Sequence, residues 1–350
     1  MRRTRWTALF VLPVLLLAGD FLYWRFAVEQ LRESFEAWTV RARASGWDIR
    51  HGAVASGGWP DAASLRIENV SVAGSVPSGR GDLGIRDVEW GSDRLLLRTH
   101  LARPNVLEAT PVGPRELRIN HGPPIPMSAD HLQLRLTLRL NAAPREIDVE
   151  AVTLAISIPG LGSIQIGNVS AHVNLKPDAG RDQPAINFSL SAHPVSLPEG
   201  VHWGLGPEIE EVELVGVMNG PLPSGRGLAA RATSWRDEGG SLELHRVVVG
   251  WGQTRIEGTA TLALDEDLQP MGTGTGKISG YGAALDALAA NAVLTRSAAK
   301  AAKAVLTLLA NTPADGKPEE VEVPLTLQFR TLSVQQVPLV RLPELDWPDR

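Results

Sequence analysis

Most of the chain alternates between apolar and polar positions. Leu132, Leu134 and Leu136 are separated by Gln133 and Arg135, a period of two that predicts a half-buried strand. The same alternation recurs from residue 47 to about residue 280 and again near the C-terminus, with Gly, Pro, Asn and Asp clustered between the runs. We therefore predict a mainly β (α+β) protein that contains large, curved, antiparallel β-sheets.

Two segments have helical periodicity instead. Apolar residues recur at spacings of three and four from Ala27 to Ala42, and this predicts a helical stalk over residues 26–46. Its apolar stripe packs either on the β body or on a separate partner. An Ala-rich segment predicts one late helical region at 281–311, which lies either across a sheet or on a membrane surface.

The N-terminus combines basic residues with a long apolar run. Three arginines precede the stretch from Trp6 to Trp24, which at about 1.5 Å per residue is long enough for a bilayer core of roughly 30 Å. The basic flank places the N-terminus in the cytoplasm. We predict a signal-anchor or transmembrane helix over residues 1–25, with the remainder exported; a cleaved secretory signal is the alternative. The anchor residues are Trp6, Leu12, Leu16 and Trp24.

The β region is long enough for two units. Pro194, Pro198 and Pro207 cluster in its middle, where the alternation pauses. We place a boundary there, which gives a first β unit over 47–200 and a second over 201–350 that includes the late helical region.

Composition and charge exclude several classes of function. The chain has 34 Lys and Arg against 39 Asp and Glu, a net charge of −5, which does not suit a nucleic-acid binder. It has no Cys, so disulfides, thiol nucleophiles and Cys-ligated metal centres are excluded.

Candidate chemistry is sparse. The eight His show no metal-ligand spacing, so we predict no catalytic residue, cofactor or metal site. The run Met271–Ile278 looks like a phosphate-binding loop but lacks its first Gly and its final hydroxyl, and is better explained as a Gly-rich strand or turn. Asp265, Glu266 and Asp267 are typical of a solvated turn rather than a calcium loop.

Several short motifs occur in an order that resembles a known family. They are Gly58-Trp59-Pro60, Gly250-Trp251-Gly252, Ile256-Glu257-Gly258, the helical segment after Gly280-Tyr281, and Val323-Pro324-Leu325 with Val337-Pro338-Leu339. In this order the chain resembles a family of Gram-negative bacterial membrane proteins, domain of unknown function 2125. Its strand and turn pattern is also similar, more distantly, to the AsmA-like envelope proteins. The resemblance implies an inner-membrane protein with a single pass and a periplasmic β body.

The AsmA-like resemblance implies envelope-lipid handling without catalysis. We expect an apolar lining for phospholipid acyl chains on two strands, formed by Val152, Leu154, Ile156, Val247, Val249 and Trp251. The expected partners are the lipid bilayer, acyl chains and envelope proteins, and no nucleic acid. A protein-binding scaffold and a periplasmic hydrolase are the alternatives. Alternation does not say whether the apolar faces form an open groove or a closed sandwich.

Overall fold

The computed structural model describes residues 3–75, 78–79, 86–139, 142–200, 204–225, 227–291, 293–310, 320–335 and 337–347, with side chains except at 3–14, 78–79, 139, 142–143 and 309. A long helix comes first, and three shorter helices lie among the later strands. The helices are α1 (Arg3–Ala44), α2 (Leu228–Asp237), α3 (Tyr281–Ala290) and α4 (Arg296–Leu309).

Twenty strands make up the rest of the regular structure in the described ranges, which confirms a mainly β protein. The first ten are β1 (Asp48–Arg50), β2 (Val54–Gly57), β3 (Ala62–Ser75), β4 (Ser78–Gly79), β5 (Asp87–His100), β6 (Arg103–Ile119), β7 (Ile125–Ser128), β8 (His131–Arg139), β9 (Ala142–Ile158) and β10 (Gly162–Leu175). The others are β11 (Pro184–Ser196), β12 (Glu208–Ile209), β13 (Glu211–Asn219), β14 (Ser241–Trp251), β15 (Thr254–Leu264), β16 (Pro270–Ser279), β17 (Glu320–Gln328), β18 (Thr331–Val334), β19 (Val337–Arg341) and β20 (Leu345–Asp346).

Eighteen of these strands form one antiparallel sheet in which most of the long strands pair with the next long strand along the chain. β1 and β2 share one edge beside β3, and β19 is the other edge. The predicted boundary at residues 200–201 falls between β11 and β12, and β11 pairs with both β12 and β13 there. The sheet therefore continues across that boundary.

A line of irregular residues, which we call the crease, crosses the sheet from β3 to β11. Asn69, Gly113 and Thr153 have positive φ, and the His193–Pro194 peptide is cis. The registers place these positions opposite one another through residues of the intervening strands. The crease consists of Asn69, Asp93, Gly113, Asp130, Thr153, Gly167 and Pro194.

The crease shifts the apolar alternation by one residue. On β3, Leu65 and Ile67 are buried before Asn69, and Val70 is buried after it, all in one core cluster. An odd-numbered set thus gives way to an even-numbered set on the same side of the sheet. The alternation stays on one face only because the backbone turns at the left-handed residue.

The apolar stripe of α1 covers the first strands of this face. Val28, Leu31 and Phe35 are buried against residues of β3, β5 and β6, so the stripe packs on the β body. Trp38, predicted to lie in the same stripe, is 46% exposed.

The last strands are covered by α3 and α4, which confirm the late helical region as a helical pair lying on the sheet. Tyr281, Leu285 and Leu306 pack with Val321 and Val323 of β17. The Thr295 hydroxyl accepts a hydrogen bond from the Ala298 amide at 3.1 Å, which is the N-cap that starts α4. Predicted residues 292 and 311 lie outside the described ranges.

A further helix, α2, corrects the prediction of one late helical segment. Ala229, Ala232 and Trp235 recur at spacings of three and are buried. The Trp235 indole donates a hydrogen bond to the Asn219 carbonyl at 2.8 Å. The helix is short and lies between Gly-rich turns, which obscure its periodicity.

The C-terminal segment links distant parts of the sheet, because β20 pairs with β4 in the connection between β3 and β5. Gln269, in the turn after β15, accepts a hydrogen bond from the Leu345 amide at 2.8 Å and donates one to its carbonyl at 3.0 Å. Eight strand-to-strand steps of about 4.8 Å each, which we call ladder steps, separate β5 from β15, and in a flat sheet this distance would be roughly 40 Å. A two-residue strand spans no such distance, so the sheet curves.

Within the described residues, no helix contains a stretch long and apolar enough to cross a membrane. The predicted anchor residues Trp6 and Leu12 lie outside the described side chains. Leu16 is exposed on α1, and Trp24 is partly buried.

Candidate functional site: an open apolar face

The middle of the sheet carries three adjacent apolar rows on the face that the helices cover at either end. Directly opposite residues of paired strands share a face, so each row follows from the register. The rows are Ile147, Val173, Phe188, Gly216 and Leu244; Val149, Ala171, Leu190, Leu214 and Val247; and Ala151, Val169, Ala192, Val212 and Val249. We call these fifteen positions of β9–β14 the open apolar face.

The open apolar face is less buried than the two helix-covered ends. Its large side chains are only half-buried, and Leu190 in the central row is 37% exposed. By contrast, Leu65 under α1 and Val321 under α3 and α4 are fully buried. In the described residues, α1 packs mainly on β1 and β3, and α2–α4 pack on β15, β17 and β19.

The tip of the Phe188 ring lies over residue 216, which has no side chain. A Cβ at Gly216 would approach the Phe188 ring to 2.6 Å and the Leu244 side chain to 3.2 Å. The missing Cβ therefore leaves room for the ring above the backbone of the next strand.

The predicted lining residues lie in two groups on this sheet. Val247 and Val249 belong to the open apolar face, and Leu154 and Ile156 are half-buried on β9 beyond the crease. Four ladder steps, roughly 20 Å, separate the two groups, which are not in contact. The Trp251 indole donates a hydrogen bond to the Gly206 carbonyl at 3.0 Å.

Val152 is placed differently from the other predicted lining residues. It is 40% exposed and lies opposite Asn168, whereas Ala151 is 3% exposed and lies in the row of Val249. The shift at the crease is the cause, because it moves the apolar set of β9 from odd to even positions. Ala151 therefore takes the place that Val152 was predicted to occupy.

The opposite face of these strands is mainly polar and carries several ion pairs, with Val248 fully buried between Glu213 and Glu257. Arg246 Nε donates to Glu213 at 2.6 Å, and Arg255 bonds Glu211 at 3.0 Å and Glu257 at 2.8 Å. The hydrogen bond from Arg255 lowers the pKa of Glu257. These ion pairs are exposed, so they contribute little to stability. Their main effect is to make this face of the sheet polar.

One polar row resembles a catalytic arrangement. His172 Nδ1 lies 2.6 Å from Asp148 Oδ1, and Ser189 is opposite His172 on the next strand. However, Ser189 is central in β11, whose backbone pairs with β10 on one side and β13 on the other. Amides engaged in these ladders do not stabilise an oxyanion, and we assign the row no catalytic role.

The other candidate motifs have structural roles. The run that resembles a phosphate loop is strand β16, where a Cβ at Gly272 or Gly274 would collide with a backbone oxygen of β15. Asp265 Oδ1 accepts hydrogen bonds from the Asp267 and Gln269 amides, which confirms the predicted turn. No group of potential metal ligands is found in the described part of the chain.

Aromatic residues surround the point where α1 meets the β2–β3 turn. The Trp24 indole donates to the Gly57 carbonyl at 3.2 Å, and the Trp59 indole donates to Asp20 at 3.1 Å. The Phe21 ring lies edge-on to Trp59 with centroids 6.2 Å apart. We call Phe21, Tyr23, Trp24 and Trp59 the aromatic collar; all but Trp24 are exposed.

Together these features define a mainly β protein with one antiparallel sheet, an N-terminal helix and an apolar face left open between two helical covers. Residues 24–343 match a family described as "Uncharacterized protein conserved in bacteria (DUF2125)". The chain belongs to this family, as its motif order predicts. No curated protein and no solved structure matches it. The likeness to AsmA-like proteins stays a prediction.

Proposed function

We propose that this protein is a non-enzymatic handler of envelope lipid, whose open apolar face shields acyl chains from water. The observation that carries the proposal is the half-burial of three adjacent apolar rows between two helix-covered ends. Acyl chains on this face bring about 0.8 kcal/mol for each CH₂ removed from water. Such binding requires no catalytic group.

The proposal includes attachment to the inner membrane, with the N-terminus in the cytoplasm and the β body in the periplasm. It rests on the basic and apolar N-terminal sequence and on the aromatic collar, which lies where that apolar run ends. Tyr and Trp favour the membrane–water interface. Attachment would hold the open apolar face beside its lipid source.

Lipid extraction from the purified full chain tests the function. We expect phospholipid to co-purify with the wild type and to fall by at least about fivefold in Leu190→Glu, because a carboxylate is costly to bury against acyl chains. Ser189→Glu adds the same charge to the same strand on the polar face and should retain the lipid. Since both variants keep α1, lipid bound around the helix is equal in the two.

Equal phospholipid in Leu190→Glu and Ser189→Glu would contradict the proposal. Recovery of one stoichiometric protein cross-linked at the open apolar face, without lipid, would favour the protein-binding scaffold instead.

A further inference from the structure

An arginine interrupts the apolar side of the sheet on β6, two strands from β3, on which α1 packs. Arg115 of β6 lies opposite Ser92 of β5 and Met127 of β7, and Met127 lies opposite Ile156 of β9. The same row extends to Ile164 of β10. Because directly opposite residues share a face, Arg115 points to the side of Ile156.

Arg115 is half-buried, and two of its three guanidinium nitrogens lack hydrogen-bond partners among the described residues. Its Nε and Nη1 atoms are buried and donate no hydrogen bond within the described structure. Arg32 differs, because its Nη2 donates to the Ser56 hydroxyl at 2.9 Å. Buried donors without acceptors are destabilising, and an anionic ligand would supply both the acceptors and the counter-charge.

We propose that Arg115 binds the anionic headgroup of an amphiphile whose acyl chain lies on the open apolar face. This inference rests on the proposed function and adds the class of ligand, a phosphate or carboxylate carrying a long chain. A guanidinium forms short, paired hydrogen bonds with either group.

The geometry suits a ligand of this shape. Ile156 lies two strand-to-strand steps, roughly 10 Å, from Arg115, and the open apolar face begins at Ala151, five residues further along β9. A chain that starts at Arg115 therefore crosses the sheet diagonally over roughly 20 Å before it reaches this face. A headgroup at Arg115 thus leaves room for a long chain across the strands.

Native mass spectrometry of the full chain in maltoside micelles tests the proposal with three probes. Dodecyl phosphate has both parts of the ligand, dodecanol has only the chain, and inorganic phosphate has only the anion. The variants are Arg115→Met, which removes the charge at similar volume, and Arg115→Lys, which keeps it. Arg135→Met removes an arginine from the polar face of β8 and is the matched control.

The wild type should bind dodecyl phosphate in preference to dodecanol, and Arg115→Met should lower dodecyl phosphate binding about tenfold, the loss of one charge-assisted hydrogen bond. Dodecanol binding should be equal in the two. Arg115→Lys should retain part of the preference, and Arg135→Met all of it. Circular dichroism should show that Arg115→Met melts no earlier than the wild type, because the change removes two buried donors that lack partners in the described part of the chain.

Equal binding of dodecyl phosphate to the wild type and Arg115→Met would overturn the inference and leave the proposed function standing. Inorganic phosphate binding as tightly as dodecyl phosphate would also overturn it, because the site would then take the free ion. Failure of both dodecyl probes to bind would overturn the proposed function itself.

Discussion

Single residues in unusual backbone conformations determine which side chains lie on the open apolar face. Thr153 has a φ of 53°, although it is β-branched, and lies in the crease opposite Gly167. A left-handed conformation costs roughly 1–2 kcal/mol for a residue with a Cβ. The surrounding ladders of β8 and β10 impose this conformation on Thr153.

Replacing Thr153 with Gly should raise the free energy of unfolding by about 0.5–1 kcal/mol, because relief of the positive-φ strain, about 1–2 kcal/mol, exceeds the entropic cost of Gly, about 0.5–1 kcal/mol. Thr153 is exposed, so little burial is lost. Thr259→Gly is the control, since Thr259 is also exposed in a strand but lacks positive φ; it should be destabilising by about 0.5–1 kcal/mol. Chemical unfolding followed by circular dichroism measures both, and a loss of stability in Thr153→Gly would contradict the strain at the crease.

At the scale of elements, only part of the apolar stripe of α1 holds the helix on the sheet. Phe35 is buried against the β3 cluster, and the Thr39 hydroxyl donates to the Phe35 carbonyl at 2.9 Å. Trp38 stacks on Phe35 with centroids 6.1 Å apart but faces solvent over much of its surface. The helix therefore depends on Phe35 and its buried neighbours more than on Trp38.

Phe35→Ala should lower the free energy of unfolding by about 3 kcal/mol, the usual cost of a large-to-small change in a core. Trp38→Ala removes a larger side chain and should cost clearly less, because much of the Trp38 side chain is already in water. The same unfolding measurement compares the two. A larger loss in Trp38→Ala would contradict the packing of α1 on β3.

Element type was largely predictable, whereas the change of register within elements was not. Alternation over β8 and β9 and the spacing of Leu31 and Phe35 reflect burial directly, so they predict strands and a packed helix. Asn69 belongs to a residue type that favours positive φ, but one Asn within an alternating run does not by itself predict it, and nothing in the residue type of Thr153 does. The only trace of the crease in β9 is the adjacent pair Ala151 and Val152, where two apolar sets meet.

The candidate site was predictable only in part for the same reason. Val247 and Val249 follow from alternation on β14, but Val152 was included because strict alternation was extended across the crease. Arg115 has no distinguishing sequence signal, since its burial depends on pairing of β6 with β5 and β7.

The whole molecule combines one curved sheet, two helical covers and a proposed membrane attachment at one end. Alkaline phosphatase fused after Gly46 should be active in cells, because export places the β body outside the cytoplasm. A cytoplasmic reporter fused at the same residue should be inactive. The reverse pattern of reporter activities would end the proposed topology and with it access to envelope lipid from the periplasm.

The most direct test of the central claim is photo-crosslinking in cells from single sites on one strand. A photoreactive benzoyl-phenylalanine replaces Leu190 on the open apolar face or Ser189 on the polar face, and mass spectrometry identifies adducts after irradiation. We expect a phospholipid adduct from residue 190 and none from residue 189. Equal lipid adducts at the two positions, or only a protein adduct at residue 190, would contradict an open apolar face that holds acyl chains.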